Sequence, residues 1–195
     1  MKKYTILVIT ILLLFGKIVY AQSETSNQTI SPITLQTSDL KIVFIRHGEK
    51  PEKGGNLTCK GLNRSLMLPS LIHQKFGIPD YVYVPSLTLG EKTKHARMFE
   101  TVVPLAAEYN MDINSKFEET DSSGIVRDML QKKGTILVVW EHGAINKLIH
   151  AIGLGYNTKW NADDYDTIIV ITITNGKPVL TIDKEGLNPK DDCPF

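Results

Sequence analysis

The chain has 195 residues, of which 42% are hydrophobic, 22% charged and 8% aromatic. That balance excludes a disordered, collagen-like or multi-span membrane protein and predicts one domain with its own apolar core. The 22 basic and 21 acidic side chains leave a net charge of +1, so no basic field points toward nucleic acid as a partner.

Lys2 and Lys3 precede an apolar run from Tyr4 to Phe15, followed by Val19-Tyr20-Ala21. A basic start, an apolar middle and a small-residue end read as a secretory signal peptide over residues 1–21. The run is too short for a permanent membrane span, and no cysteine adjoins it to take a lipid. An uncleaved signal-anchor is the alternative. Cleavage takes three lysines and no acids, leaving the mature chain at −2. The expected destination is secreted or periplasmic, an oxidising compartment. There Cys59 and Cys193 can close one disulfide or remain two free thiols, since spacing does not decide pairing.

Residues 22–39, rich in Ser, Thr, Gln and Asn, read as a flexible lead-in, and 40–195 as the folded domain. Lys41 to Ile45 is a continuous apolar run of the kind a buried parallel strand needs. Thr58 can cap a helix through Leu62 and Leu66, which Pro69 is expected to kink or divide. Tyr81 to Val84 is a second strand. Phe99, Val102, Ala106 and Tyr109 suggest another helix, with Pro104 inside it. Ile136 to Trp140 is a third strand, and Ala144, Ile145, Leu148, Ile149 and Ile152 repeat at helical spacing before a capping Gly153. Thr167 to Thr174 is a fourth strand, and after an Asn175-Gly176 turn Pro178 to Ile182 adds an edge strand. Strands alternating with helices predict an α/β domain with a mostly parallel sheet.

Ligands of such sheets bind beyond the carboxyl ends of the strands. The first strand ends in Arg46-His47-Gly48-Glu49 and the third in Glu141-His142-Gly143. A guanidinium matches phosphate oxygens with a planar fork and keeps its charge. An imidazole is a nucleophile able to hold a covalent intermediate. Gly48 lets the backbone come close to a neighbour. His73 and His150 fall inside helices away from strand ends and read as structural, and Trp140 and Trp160 as packing residues.

Arg46-His47-Gly48 after an apolar strand resembles the signature of the histidine phosphatase superfamily. Leu57-Thr58-x-x-Gly61, Ala96-Arg97-Met98-Phe99-Glu100-Thr101 with Pro104-Leu105-Ala106, and Glu141-His142-Gly143 resemble its further motifs, in order, over about residues 40–155. Four elements in the right context are a far more specific signal than a lone tripeptide. The resemblance implies a three-layer α/β/α, phosphoglycerate-mutase-like fold and a compact member without a large cap. It implies a phosphatase, exported if the leader is a signal peptide, acting on a phosphorylated small molecule or phosphoprotein without metal or cofactor. His47 would become a phosphohistidine. Arg46, Gly48, Arg97 and a protonated His142 would surround the phosphoryl oxygens, supplying charge where the reaction needs it. The general acid has no motif. Glu119 and Glu118 rank first, Glu49 and Glu141 adjoin the histidines, and Glu108, Asp121 and Asp128 share the same interval. Lys50, Lys53, Lys92, Lys94 and His95 lie beside the motifs and read as solvated surface or as an extension of the anion site. A non-catalytic phosphate-binding module and a phosphoglycerate-type mutase are the rival functions. A metal-dependent hydrolase lacks a clustered ligand set in the sequence.

Overall fold

The computed structural model describes residues 39–88, 90–156 and 160–195. The expected signal peptide, and the lead-in apart from Asp39, lie outside the described residues.

Two apolar runs form the central strands because both of their faces are covered. β1 (Leu40–Arg46) and β4 (Gly134–Trp140) pair in parallel, with Ile42 opposite Ile136 and Arg46 opposite Trp140. β2 (Tyr81–Tyr83) runs parallel to β4 on its other side, and β3 (Ile113–Asn114) parallel to β2. Beyond β1 the direction reverses. β5 (Thr167–Thr174) is antiparallel to β1 and β6 (Lys177–Lys184) antiparallel to β5, giving the order β3-β2-β4-β1-β5-β6. The sheet is thus parallel over four strands and closed by an antiparallel hairpin. Its turn places Asn175 at φ 54° and Gly176 at φ 72°, the two left-handed residues a tight hairpin turn requires.

Alternate strand residues serve opposite faces. Ile42, Phe44, Ile136, Val138 and Trp140 pack with α3 (Ser122–Met129) and α4 (His142–Ala151). Val43, Ile45, Leu137 and Val139 pack with α1 (Cys59–Phe76) and α2 (Ala96–Glu108). This is the expected α/β/α sandwich. The prolines do not divide the helices. α1 is continuous across Pro69 and α2 across Pro104. Each proline forfeits one backbone bond, but Leu68 and Ile72, both 1% exposed, hold α1 on the sheet. Tertiary packing outweighs local propensity there. β3 has two residues and leaves no periodic trace in the sequence.

Thr58 caps α1 as expected, its Oγ1 accepting from Gly61 N at 3.2 Å. Cys59 and Cys193 are joined in a disulfide. The chain end is held further by Asn63, whose Nδ2 donates to the carbonyls of Lys190 and Asp192 at 3.0 and 2.6 Å. Among the described residues no helix is long and apolar enough to cross a membrane.

Candidate active site

β1 and β4 end side by side, so their last residues meet. His47 N donates to Trp140 O at 3.3 Å, extending the ladder one residue past the strands. Gly48 then turns the chain against α1. A Cβ on Gly48 would lie 2.9 Å from Gly61 O, and one on Gly61 would lie 2.4 Å from Glu49 O. The two glycines of the Arg-His-Gly and Thr-x-x-Gly segments are therefore one backbone contact, closed to any side chain. Thr58 N donates to Glu49 O at 2.9 Å beside it. Thr101, fully buried on α2, fastens the same loop from the other side. Its Oγ1 accepts from Gly48 N at 2.9 Å and donates to Arg97 O at 2.6 Å. One hydroxyl thus links the first histidine's loop to the helix turn bearing Arg97.

His47 is 1% exposed. Its Nδ1 lies 2.6 Å from the carbonyl oxygen of Gly48. A carbonyl can only accept, so Nδ1 holds the hydrogen and Nε2 keeps its lone pair. Burial, assisted by the charges of Arg46, Arg97 and His142, holds the pKa of His47 down at about 4, against the opposing bond to Gly48. The ring is neutral at pH 7, as a nucleophile must be. That Arg46, Arg97 and His142 all act on it brings the four sequence-derived site residues to one place.

Arg46 enters the site with one of its terminal nitrogens already engaged. Its NH1 donates to the carbonyls of Ala162 and Asp164 at 2.7 and 3.1 Å, and its guanidinium lies 4.0 Å from the Tyr165 ring centre. Nε and NH2 are buried and have no hydrogen-bond partner. Arg97, second residue of α2, donates NH1 to Gly54 O at 3.3 Å and likewise buries an unpartnered Nε. Buried N–H groups left unpaired are costly. A tetrahedral oxyanion between the two guanidiniums would supply acceptors for them.

His142 opens α4, where Glu141 is the N-cap and accepts from Gly143 N and Ala144 N at 2.6 and 3.2 Å. Its Nδ1 touches Glu141 Oε1 at 2.6 Å without the alignment of a hydrogen bond. Burial and the charges of Arg46 and Lys50 lower its pKa, with Glu141 opposing. These surroundings disfavour the protonated His142 expected from sequence.

The carboxylates sort by what they already do. Glu49 is gripped by Arg64, and Glu141 caps a helix. Asp121 caps α3 and Asp128 accepts from the Tyr83 hydroxyl. Glu108 and Glu118 are exposed. Glu119 lies in the β3–α3 segment, its Oε2 3.8 Å from Nδ1 of His95, the residue leading into α2 and Arg97. His73 and His150 are occupied elsewhere, facing Tyr109 and Tyr156. Among the described residues no three His, Cys, Asp or Glu side chains form a metal-binding group.

Sequence reading did not find Tyr165, Thr101 as a tether, or Arg64. Tyr165 and the carbonyls under Arg46 belong to an irregular segment without motif. Thr101 ends one recognised motif and Arg64 lies just past another, but a residue's partner across the fold leaves no local signal.

No protein-family model matches the sequence, and neither does any curated protein. Solved structures do. A phosphoserine phosphatase variant from Entamoeba histolytica, crystallised with phosphoserine, superposes with a TM-score of 0.53 at 15% identity, covering 75% of this chain and 97% of that one. The protein histidine phosphatase SixA, complexed with tungstate, gives 0.53 at 13% identity over 74% and 97% of the two chains. A mycobacterial glucosyl-3-phosphoglycerate phosphatase with inorganic phosphate gives 0.52 at 11% identity over 73% and 95%. These compact neighbours are matched over nearly their whole length. The chain accordingly has the phosphoglycerate-mutase-like fold.

Proposed function

We propose that the chain is an exported, metal-independent phosphatase that hydrolyses a phosphomonoester or phosphoprotein through a phosphohistidine on Nε2 of His47. One observation carries the reading. A neutral, buried imidazole with a free Nε2 shares its site with two guanidiniums whose buried N–H groups lack partners. In-line attack of Nε2 on phosphorus expels the alkoxide, and water then releases phosphate from His47. Arg46, Arg97 and His142 hold the oxygens as charge moves onto them. Glu119 is the proposed proton donor to the leaving group, being the candidate that is neither gripped, nor capping, nor remote from Arg97. Export follows from the proposed signal peptide over residues 1–21 and suits the Cys59–Cys193 disulfide.

The test uses the mature protein with an aryl phosphate in EDTA. Turnover that survives the chelator and disappears in His47→Ala supports the reading. Turnover abolished by EDTA overturns metal independence, and none at all, with vanadate still bound, leaves a phosphate-binding module. Glu119→Gln should slow alkyl phosphates by about a hundredfold while sparing an aryl phosphate, whose leaving group needs no proton. Equal effects on both remove Glu119 from that role. N-terminal sequencing of the secreted protein checks cleavage after Ala21.

A further inference from the structure

Behind the catalytic loop lies an ion cluster that the proposed reaction does not use. Arg64, on α1, donates Nε and NH2 to Oε2 and Oε1 of Glu49 at 2.9 and 2.8 Å, and NH1 to Oε2 of Glu185 at 2.5 Å. Arg64 is 5% exposed, Glu185 4% and Glu49 9%. Two carboxylates share one guanidinium away from water, and Oε1 of Glu185 has no hydrogen-bond partner. A net negative charge in such a place is unfavourable, and one proton removes it. Burial pushes the Glu185 pKa up to about 7 against the pull of Arg64, with Asp166 and Glu49 adding to the push. Those three groups face Glu185 from α1, from the segment ahead of β5 and from the loop after β1.

The cluster reaches the site along two routes. Glu49 follows His47 by two residues, and its backbone carbonyl accepts from Thr58 N at the Gly48–Gly61 contact. Glu185 N donates to Asp166 O at 2.7 Å, next to the Tyr165 ring that lies on Arg46.

We propose that Glu49, Arg64 and Glu185 form a positioning device for the catalytic loop, switched by a proton on Glu185. With the proton in place, Arg64 gives its full charge to Glu49 and holds the His47–Glu49 loop. Without it, the guanidinium is divided between two carboxylates and the loop loosens. The inference rests on the His47 phosphatase reading for its kinetic readout, but anion binding tests it independently.

Glu185→Gln keeps a carbonyl acceptor for Arg64 and cannot ionise. The ratio of wild-type to Glu185→Gln kcat/KM for p-nitrophenyl phosphate should stay near one below about pH 6. It should fall about fivefold by about pH 8.5, as small misplacements of a nucleophile allow. Titrations common to both proteins, including the substrate's, cancel in the ratio. Vanadate affinity, measured on both proteins over the same range, should show the same fall. A flat vanadate ratio overturns the proposal whether or not the protein turns over substrate, whereas a wild type inactive at every pH overturns only the phosphatase reading. A second variant guards against misfolding at position 185. Glu49→Gln takes away the carboxylate through which Arg64 holds the loop, so the ratio of wild-type to Glu49→Gln vanadate affinity should be largest in mild acid and shrink toward alkaline pH. A flat ratio overturns the proposal. Thermal unfolding separates structure from positioning. A pH-dependent difference in Tm together with a flat vanadate ratio means that Glu185 titrates without steering the loop, which also overturns it.

Discussion

Replacing His47 with Gln should make the folded chain less sensitive to mild acid. Burial among cations holds the His47 pKa at about 4 in the fold, whereas an unfolded chain leaves it near 6.5. The native state thus refuses a proton that the unfolded state accepts. Stability contributed by this histidine is present above the unfolded value and is lost as pH falls through the window toward 4. Going from about pH 7 to about pH 5 crosses enough of the window to cost about 2 kcal/mol, at 1.36 kcal/mol per pKa unit. Gln can still donate to the Gly48 carbonyl but takes up no proton, so His47→Gln escapes this loss. Glu185 acts in the opposite sense, because its raised pKa favours the fold toward acid. Comparing the two proteins at both pH values cancels it. Urea unfolding at about pH 7 and about pH 5 should show the stability gap moving by about 2 kcal/mol against the wild type. A gap that is the same at both pH values would refute the argument that His47 is held neutral by its surroundings.

Gly61→Ala would place a methyl 2.4 Å from Glu49 O, forcing the loop off α1. About 1–3 kcal/mol of destabilisation is expected, less the helix-propensity gain, with a larger proportional loss of vanadate affinity; calorimetry and titration check both. Reducing the Cys59–Cys193 bridge, which spans 134 residues, should lower stability by up to about 5 kcal/mol if loop entropy of the unfolded chain dominates. Urea midpoints with and without reductant measure it, and coincident curves would show that the bridge contributes no stability. Arg97→Ala should weaken vanadate binding by at least about tenfold, the worth of a charge-assisted hydrogen bond. Unchanged affinity takes Arg97 out of the site.

Local pattern was enough wherever a structural need repeats along the chain. The apolar runs leading to Arg46 and Trp140 had to be buried strands, so the place of His47 and His142 just past two strand ends was legible before any coordinates. Thr58 announced a helix start, and Asn175-Gly176 a hairpin turn, because cap and turn chemistry is local. Only the tertiary structure decided what depends on partners distant in sequence. Packing on the sheet carried α1 through Pro69, and burial beside Arg46 and Lys50 lowered the His142 pKa. Folding also committed Glu49 to Arg64 and Glu141 to a helix cap, and laid Tyr165 against Arg46. Periodicity records which face a residue turns to the core. Whether a buried charge is held, and by what, depends on what the fold brings within a few ångströms.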